Sequence, residues 1–84
     1  MGARAQFPQF ENLTAAEFAR LLNLSKLSRE EKEIAAQKIV WKMDYIEIGE
    51  KIRMDRRTVS RKMKDIILPE LERMMHRENI EAGA

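Results

Sequence analysis

The chain has 84 residues, of which 44% are hydrophobic and 36% are charged, and it contains no cysteine. This length suits one small domain with a single core, and the lack of cysteine excludes disulfide bonds and cysteine-ligated zinc. No apolar run approaches the length of a membrane span and no signal peptide is apparent, so we expect a cytoplasmic protein with no membrane partner.

A capping box separates the N-terminal segment from the first predicted helix. Residues 1–12 show no helical periodicity and are expected to form a flexible arm, from which Phe7 or Phe10 is able to dock on the core. Thr14 and Glu17 have the spacing at which each side chain caps the other residue's backbone N–H. This spacing predicts a short helix that begins there and ends near residue 22 or 23.

A second capping box, Ser28 with Glu31, opens the longest predicted helix, which runs to about Met43. Its expected packing residues are Ile34, Ala35, Ile39, Trp41 and Met43. We expect Trp41 to be a core anchor rather than a platform for a ligand, because large aromatic side chains dominate core energetics. Asp44 then starts another helix, predicted over residues 45–52.

Residues 45–67 predict two helices joined by a tight turn, and the rest of the chain is organised around them. Asp55 is a suitable N-cap for the second helix, because its carboxylate can accept from backbone N–H groups near Thr58 and complements the helix dipole. At about 100° per residue the second helix separates into two faces. The apolar face carries Val59, Met63, Ile66 and Ile67, and the polar face carries Arg57, Ser60, Arg61 and Lys64.

The pattern is interrupted by Pro69. Proline is tolerated in the first turn of a helix, so we predict a last helix over residues 69–79, with a kinked continuation of the preceding helix as the alternative. Its apolar stripe consists of Leu71, Met74, Met75 and Ile80. The stripe either closes the core, which we favour, or forms a homodimer interface with adaptable methionines. Residues 81–84 should fray.

These elements together predict an all-α fold, because strand signals are absent from the sequence. We expect a compact bundle of four to five short helices without a β-wing. The domain should span residues 13–80.

Positive charge is concentrated in the two-helix stretch. Between residues 51 and 64, seven Lys and Arg residues stand against one acid, Asp55, which gives this segment a net charge of +6. Because the whole chain carries +2, the remainder sums to −4. A basic run is often only a solvated helix face, but its coincidence with the polar face of the second helix favours a nucleic-acid partner.

The same stretch resembles a family of DNA-binding domains. The resemblance rests on the run Ile48-Gly49-x-x-Ile52-x-Met54-Asp55-x-x-Thr58-Val59-x-Arg61-x-Met63. This run is similar to the helix-turn-helix unit in the promoter-reading C-terminal domain of bacterial sigma factors and in phage and mobile-element regulators. The resemblance covers residues 27–71 and implies that the second helix lies in the DNA major groove.

Two positions depart from the family pattern. The turn position that is usually glycine is Arg53, which carries a steric penalty if its φ is positive. The small residue of the first helix, usually alanine, is Gly49. Gly49 lies ten residues before Val59, where we expect two crossing helices to approach most closely, although glycine lowers helix propensity by roughly 1 kcal/mol.

The resemblance implies a small transcriptional regulator that inserts helix 56–67 into double-stranded DNA. The expected base contacts are Arg56, Arg57, Ser60 and Arg61. The expected phosphate contacts are Lys51, Arg53, Thr58, Lys62 and Lys64, with Lys42 and Tyr45 as weaker candidates for the flanking backbone. Phosphate contacts position the protein, whereas base contacts specify the sequence.

An enzyme is not expected, and neither is a catalytic, metal or cofactor site. His76 is the only histidine, and the three glycines are too scattered to form a phosphate-binding loop. Two alternatives to an autonomous regulator remain. One is a sigma-like factor that works while attached to RNA polymerase, and the other is a protein adaptor of trihelical shape whose basic face meets an acidic protein.

Overall fold

Every regular element in the described part of the protein is helical, which confirms the all-α bundle. The computed structural model describes residues 7–78. In chain order the elements are a 3-10 turn at Pro8–Phe10, α1 (Ala15–Leu24), α2 (Arg29–Ala35), α3 (Tyr45–Ile52), α4 (Arg56–Lys62) and α5 (Leu68–Arg77). Two π-helical turns, Ala36–Val40 and Met63–Ile67, extend α2 and join α4 to α5. Ile80 and the predicted frayed residues 81–84 lie outside the described residues.

Three capping boxes set the starts of α1, α2 and α3. The pairs are Thr14 with Glu17, Ser28 with Glu31, and Asp44 with Glu47. In each pair the N-cap oxygen accepts from the backbone N–H of the glutamate, and the glutamate carboxylate accepts from the N-cap N–H, at 2.8–3.3 Å. The first two boxes are confirmed predictions, and the third adds a reciprocal partner at the predicted start of α3.

The core draws side chains from all five helices. The most deeply buried large side chains are Leu21, Ile34, Ile48, Val59, Met63, Ile67, Leu71 and Met74. Phe10 is also buried, and its ring meets Phe18 edge-on with the centroids 5.6 Å apart, a favourable aromatic geometry. The Phe10 part of the predicted N-terminal arm therefore docks on the core.

Trp41 is 72% exposed, so its prediction as a core anchor is wrong. The helix ends at Val40 and does not reach Met43. Its last turn is π-helical, with the Trp41 N–H donating to the Ala36 carbonyl oxygen at 3.2 Å. A π turn holds more residues than the roughly 3.6 of an α turn, so the α-helical spacing that aligns Trp41 with Ile34 no longer applies.

The last helix begins at Leu68, one residue before the predicted start at Pro69, and it continues from the preceding π-helical turn without a break, which agrees with the alternative of a continuation. Ile67 and Leu68 keep helical backbone angles, with φ −72° and ψ −54° for Ile67 and φ −59° and ψ −47° for Leu68. The proline ring crowds the carbonyl four residues earlier, at Asp65. That carbonyl lies in the π-helical turn, where the hydrogen-bond ladder is already widened.

The apolar stripe of α5 closes the core. Leu71, Met74 and Met75 are at most 4% exposed. These three side chains therefore pack within the chain, as favoured for the stripe.

The turn between α3 and α4 depends on close backbone contact at Gly49. The Gly49 carbonyl oxygen accepts from the Arg53 and Met54 N–H groups, the latter at 2.8 Å, and Arg53 is left-handed with φ 57° and ψ 50°. A Cβ at position 49 would press into the Met54 carbonyl oxygen and lie 3.6 Å from the Arg56 nitrogen. Gly49 therefore lies close to the backbone of the turn. The sequence predicts a close approach near Val59 instead.

Gly49→Ala is expected to lower the free energy of unfolding by about 1–2 kcal/mol, because overpacking against a fixed carbonyl outweighs the better helix propensity of alanine. Urea denaturation measures this change. Glu50→Ala, at the exposed neighbouring position, is the matched control and should stay within about 0.5 kcal/mol of the unmodified protein. A Gly49→Ala variant as stable as the unmodified protein would contradict the contact.

Arg53→Gly is expected to raise the free energy of unfolding by about 1 kcal/mol, because an L-residue in the left-handed region is strained and glycine is not. Arg53→Ala removes the same charge but keeps the Cβ, so it should give no gain. Equal stabilities of the two variants, measured in parallel urea titrations, would show that φ at this position is not strained.

Candidate nucleic-acid interface

An open groove lies between the start of α3 and the exposed side of α4, and we call it the α3–α4 groove. Its lining residues are Asp44, Tyr45, Ile46, Arg56, Arg57, Ser60, Arg61, Lys64 and Asp65. One wall is the beginning of α3 with its N-cap. The other wall is α4 and the π-helical turn that follows it.

The apolar and basic faces of α4 lie on opposite sides of the helix, and the basic face borders this groove. Val59, Met63 and Ile67 follow one another at four-residue spacing and are 0% exposed, so they fix which way the helix faces. Arg57 and Arg61 lie on the other side and are exposed. The separation of an apolar from a basic face is therefore confirmed for these residues.

One detail of this helix differs from expectation, and one is confirmed. Ile66 was expected on the apolar face but is 42% exposed, because it follows α4 within the π-helical turn, where α-helical spacing fails. Asp55 caps α4 as predicted, and its carboxylate accepts from the Arg57 N–H, next to Thr58, at 2.9 Å.

The structure brings together five of the nine predicted DNA contacts. The groove-lining members are Arg56, Arg57, Ser60, Arg61 and Lys64. These are all four predicted base contacts and one predicted phosphate contact. Lys51 and Arg53 are exposed at the end of α3 and in the turn, outside the lining, and Thr58 is half-buried.

Lys62 faces the opposite way. Its Nζ lies 3.7 Å from Glu31 Oε2 on α2, and its side chain is 29% exposed. A cation that is paired with a carboxylate of the same chain is less available to a phosphate. Lys62 therefore does not belong to the α3–α4 groove, in contrast to its prediction as a phosphate contact.

Sequence reasoning missed three groove residues, Asp44, Ile46 and Asp65. Ile46 is 51% exposed, and its spacing carries a signal, because two residues before the buried Ile48 is the far side of a helix. The acidic residues show that the lining mixes charges, with four cationic and two anionic side chains. The groove is therefore less positive than the sequence run from residue 51 to 64.

Tyr45 is held in place at the groove wall by Lys38. The Lys38 Nζ lies 4.4 Å from the centroid of the Tyr45 ring, a cation–π geometry, and Lys38 itself is buried. Burial raises the pKa of the Tyr45 hydroxyl above its usual value. A tyrosine hydroxyl is protonated at neutral pH, so it can donate a hydrogen bond to an anion.

Comparison of the chain with protein-family models, curated proteins and solved structures finds no match. Within residues 7–78, no helix combines the length and apolarity that crossing a bilayer requires. Over the same residues, no three or more His, Asp or Glu side chains are grouped so that they could hold a metal ion.

Proposed function

We propose that the protein is a sequence-specific binder of double-stranded DNA, a small transcriptional regulator in which α3 and α4 act as a helix-turn-helix. One observation carries this proposal. Val59 and Met63 are completely buried while Arg57 and Arg61, on the same helix, stay exposed beside an open groove. A helix that is anchored on one side and cationic on the other suits the DNA major groove, which is wide enough to admit it.

The groove residues divide by what their side chains can recognise. Arg57 and Arg61 carry guanidinium groups, which can donate two hydrogen bonds to guanine O6 and N7. The Ser60 hydroxyl both donates and accepts, so it adapts to several base edges. Lys64 is a compact charge at the far end of the lining and suits a phosphate.

Affinity in this proposal is limited by size. A single module of this kind buries roughly 600–1,000 Å² on DNA. We therefore expect a lone chain to show salt-sensitive non-specific binding with Kd around 10⁻⁴–10⁻⁶ M. Titration of a labelled random duplex at several salt concentrations tests this directly.

Arg61→Ala and Lys64→Ala are expected to impair DNA binding in different ways. Selection of bound sites from a random duplex pool first supplies the preferred sequence. Arg61→Ala should then relax the preference at one base pair by about 1–3 kcal/mol. Lys64→Ala should weaken binding to all duplexes alike and reduce the slope of log K against log salt by about one.

Lys62→Ala is the matched control for both substitutions. It removes a cation from the same helix, but one that is paired with Glu31 on α2, so DNA affinity and salt slope should stay unchanged. DNA binding that is insensitive to Arg61→Ala and Lys64→Ala, or that depends on Lys62 to the same degree, would refute this interface.

Asp65→Asn is expected to tighten binding to every duplex by roughly two- to fivefold at low salt, because a carboxylate in the groove repels nearby phosphates. The gain should shrink as salt is added. Fluorescence anisotropy of a labelled duplex measures both effects. Unchanged or weaker binding would mean that phosphates do not approach this end of the groove.

The mixed charge of the lining favours a second candidate, a protein adaptor. Asp44 and Asp65 stand among the four cations, and such a surface can also suit a polypeptide that carries both signs of charge. The random-duplex titration separates the two classes, because an adaptor has no reason to bind DNA in a salt-dependent way.

A further inference from the structure

Trp41 is the most exposed large hydrophobic side chain in the described residues. It is 72% exposed, compared with 51% for Ile46, 47% for Leu24 and 42% for Ile66. It is also the one tryptophan of the chain. Exposed aliphatic side chains are common on protein surfaces. An exposed indole is less common, because burying this large side chain in the core would stabilise a small domain.

The backbone fixes this exposed position. The Trp41 N–H donates to the Ala36 carbonyl oxygen at 3.2 Å, and the Met43 N–H donates to the Gln37 carbonyl oxygen at 3.0 Å. Between them Lys42 is left-handed, with φ 57°. Among residues 7–78, Lys42 and Arg53 are the two non-glycine residues with positive φ, and they lie in the turns at the two ends of α3.

Trp41 is close along the chain to residues that line the α3–α4 groove. Asp44, which lines the groove, is three residues further along the chain, so the two Cα atoms are at most about 11 Å apart. The next two residues, Tyr45 and Ile46, also line the groove. The backbone at Trp41 is therefore within about 11 Å of the end of the groove where α3 begins, although Trp41 is not itself one of the lining residues.

Two groups at Trp41 can bind an anion, although the exposed carboxylate of Asp44 lies three residues away. Lys42 is adjacent to it and exposed, and the indole N–H is a donor with no acceptor function. A protein partner would need about 800 Å² on each side for a stable interface. One tryptophan contributes at most about 250 Å², and Ile46 is the one other exposed large hydrophobic side chain within five residues of it in the described part of the chain.

We propose that Trp41 and Lys42 extend the DNA interface to the strand that passes the start of α3. The indole packs against a deoxyribose, its N–H donates to an adjacent phosphate oxygen, and the Lys42 ammonium pairs with a phosphate. This inference rests on the proposed DNA-binding function, and it adds a contact outside α4 that positions the helix without reading bases.

The single tryptophan makes the contact directly observable. In the free protein Trp41 should show the emission of a water-exposed indole and should be quenched efficiently by acrylamide. Addition of duplex DNA should change its intensity, shift its emission to the blue and protect it from acrylamide. Anisotropy of a fluorescein-labelled duplex reports binding independently, so contact and binding are measured in one titration.

Substitutions test how much the contact contributes. Trp41→Ala should weaken duplex binding by roughly five- to tenfold, and Trp41→Phe should recover part of the loss because it keeps an aromatic face. Lys42→Ala should lower the salt slope by about one. Leu24→Ala, an exposed apolar position at the end of α1 outside the groove lining, is the matched control and should bind like the unmodified protein.

The outcomes distinguish this inference from the function on which it rests. If the duplex binds while the fluorescence of Trp41 and the affinity of Trp41→Ala stay unchanged, the contact is refuted and DNA binding stands. If no duplex binds, both proposals fall. If Trp41 becomes shielded at higher protein concentration without DNA, a second copy of the chain covers the indole and the contact is again refuted.

Discussion

The burial of Val59, Met63 and Ile67 fixes how α4 is turned about its axis, and the groove depends on that rotation. These side chains follow at four-residue spacing and are inaccessible to water, so turning the helix would expose them at a cost of about 1.5–3 kcal/mol each. Arg57 and Arg61 face outward as a consequence, and within the described residues no side-chain hydrogen bond of either guanidinium group positions them. The orientation of the cationic face is therefore a property of the core beneath it.

The turn at residues 53–55 sets the second constraint, which is the distance between α3 and α4. Gly49 lets the Met54 carbonyl come close enough to seat the start of α4 on α3, and Arg53 supplies the left-handed residue that reverses the chain. Glycine in a helix and arginine in a left-handed position are each unfavourable by about 1 kcal/mol. These two locally unfavourable residues allow the tight turn that brings Tyr45 and Ile46 opposite Ser60 and Arg61.

Local signals in the sequence predicted the helix starts and the buried face of α4, because caps and four-residue spacing act within one helix. The misplaced Trp41 and Ile66 share a cause. Each lies in or directly after a π-helical turn, and an extra residue in a turn shifts the spacing without a mark in the sequence. The contribution of Asp44 to the groove and the pairing of Lys62 with Glu31 depend on how helices meet, which periodicity within one helix does not contain.

The charge of the groove bears on what kind of DNA binder the protein would be. The run from residue 51 to 64 carries +6 in sequence, but folding neutralises Lys62 with Glu31 and brings Asp44 and Asp65 among the groove cations. Attraction to phosphate is independent of sequence and dominates non-specific binding. The carboxylates reduce the attraction of the groove to phosphates, but its arginines remain. Base contacts would therefore contribute a larger share of the binding free energy. In the proposed function, the two carboxylates therefore favour discrimination between sites at the expense of affinity for DNA in general.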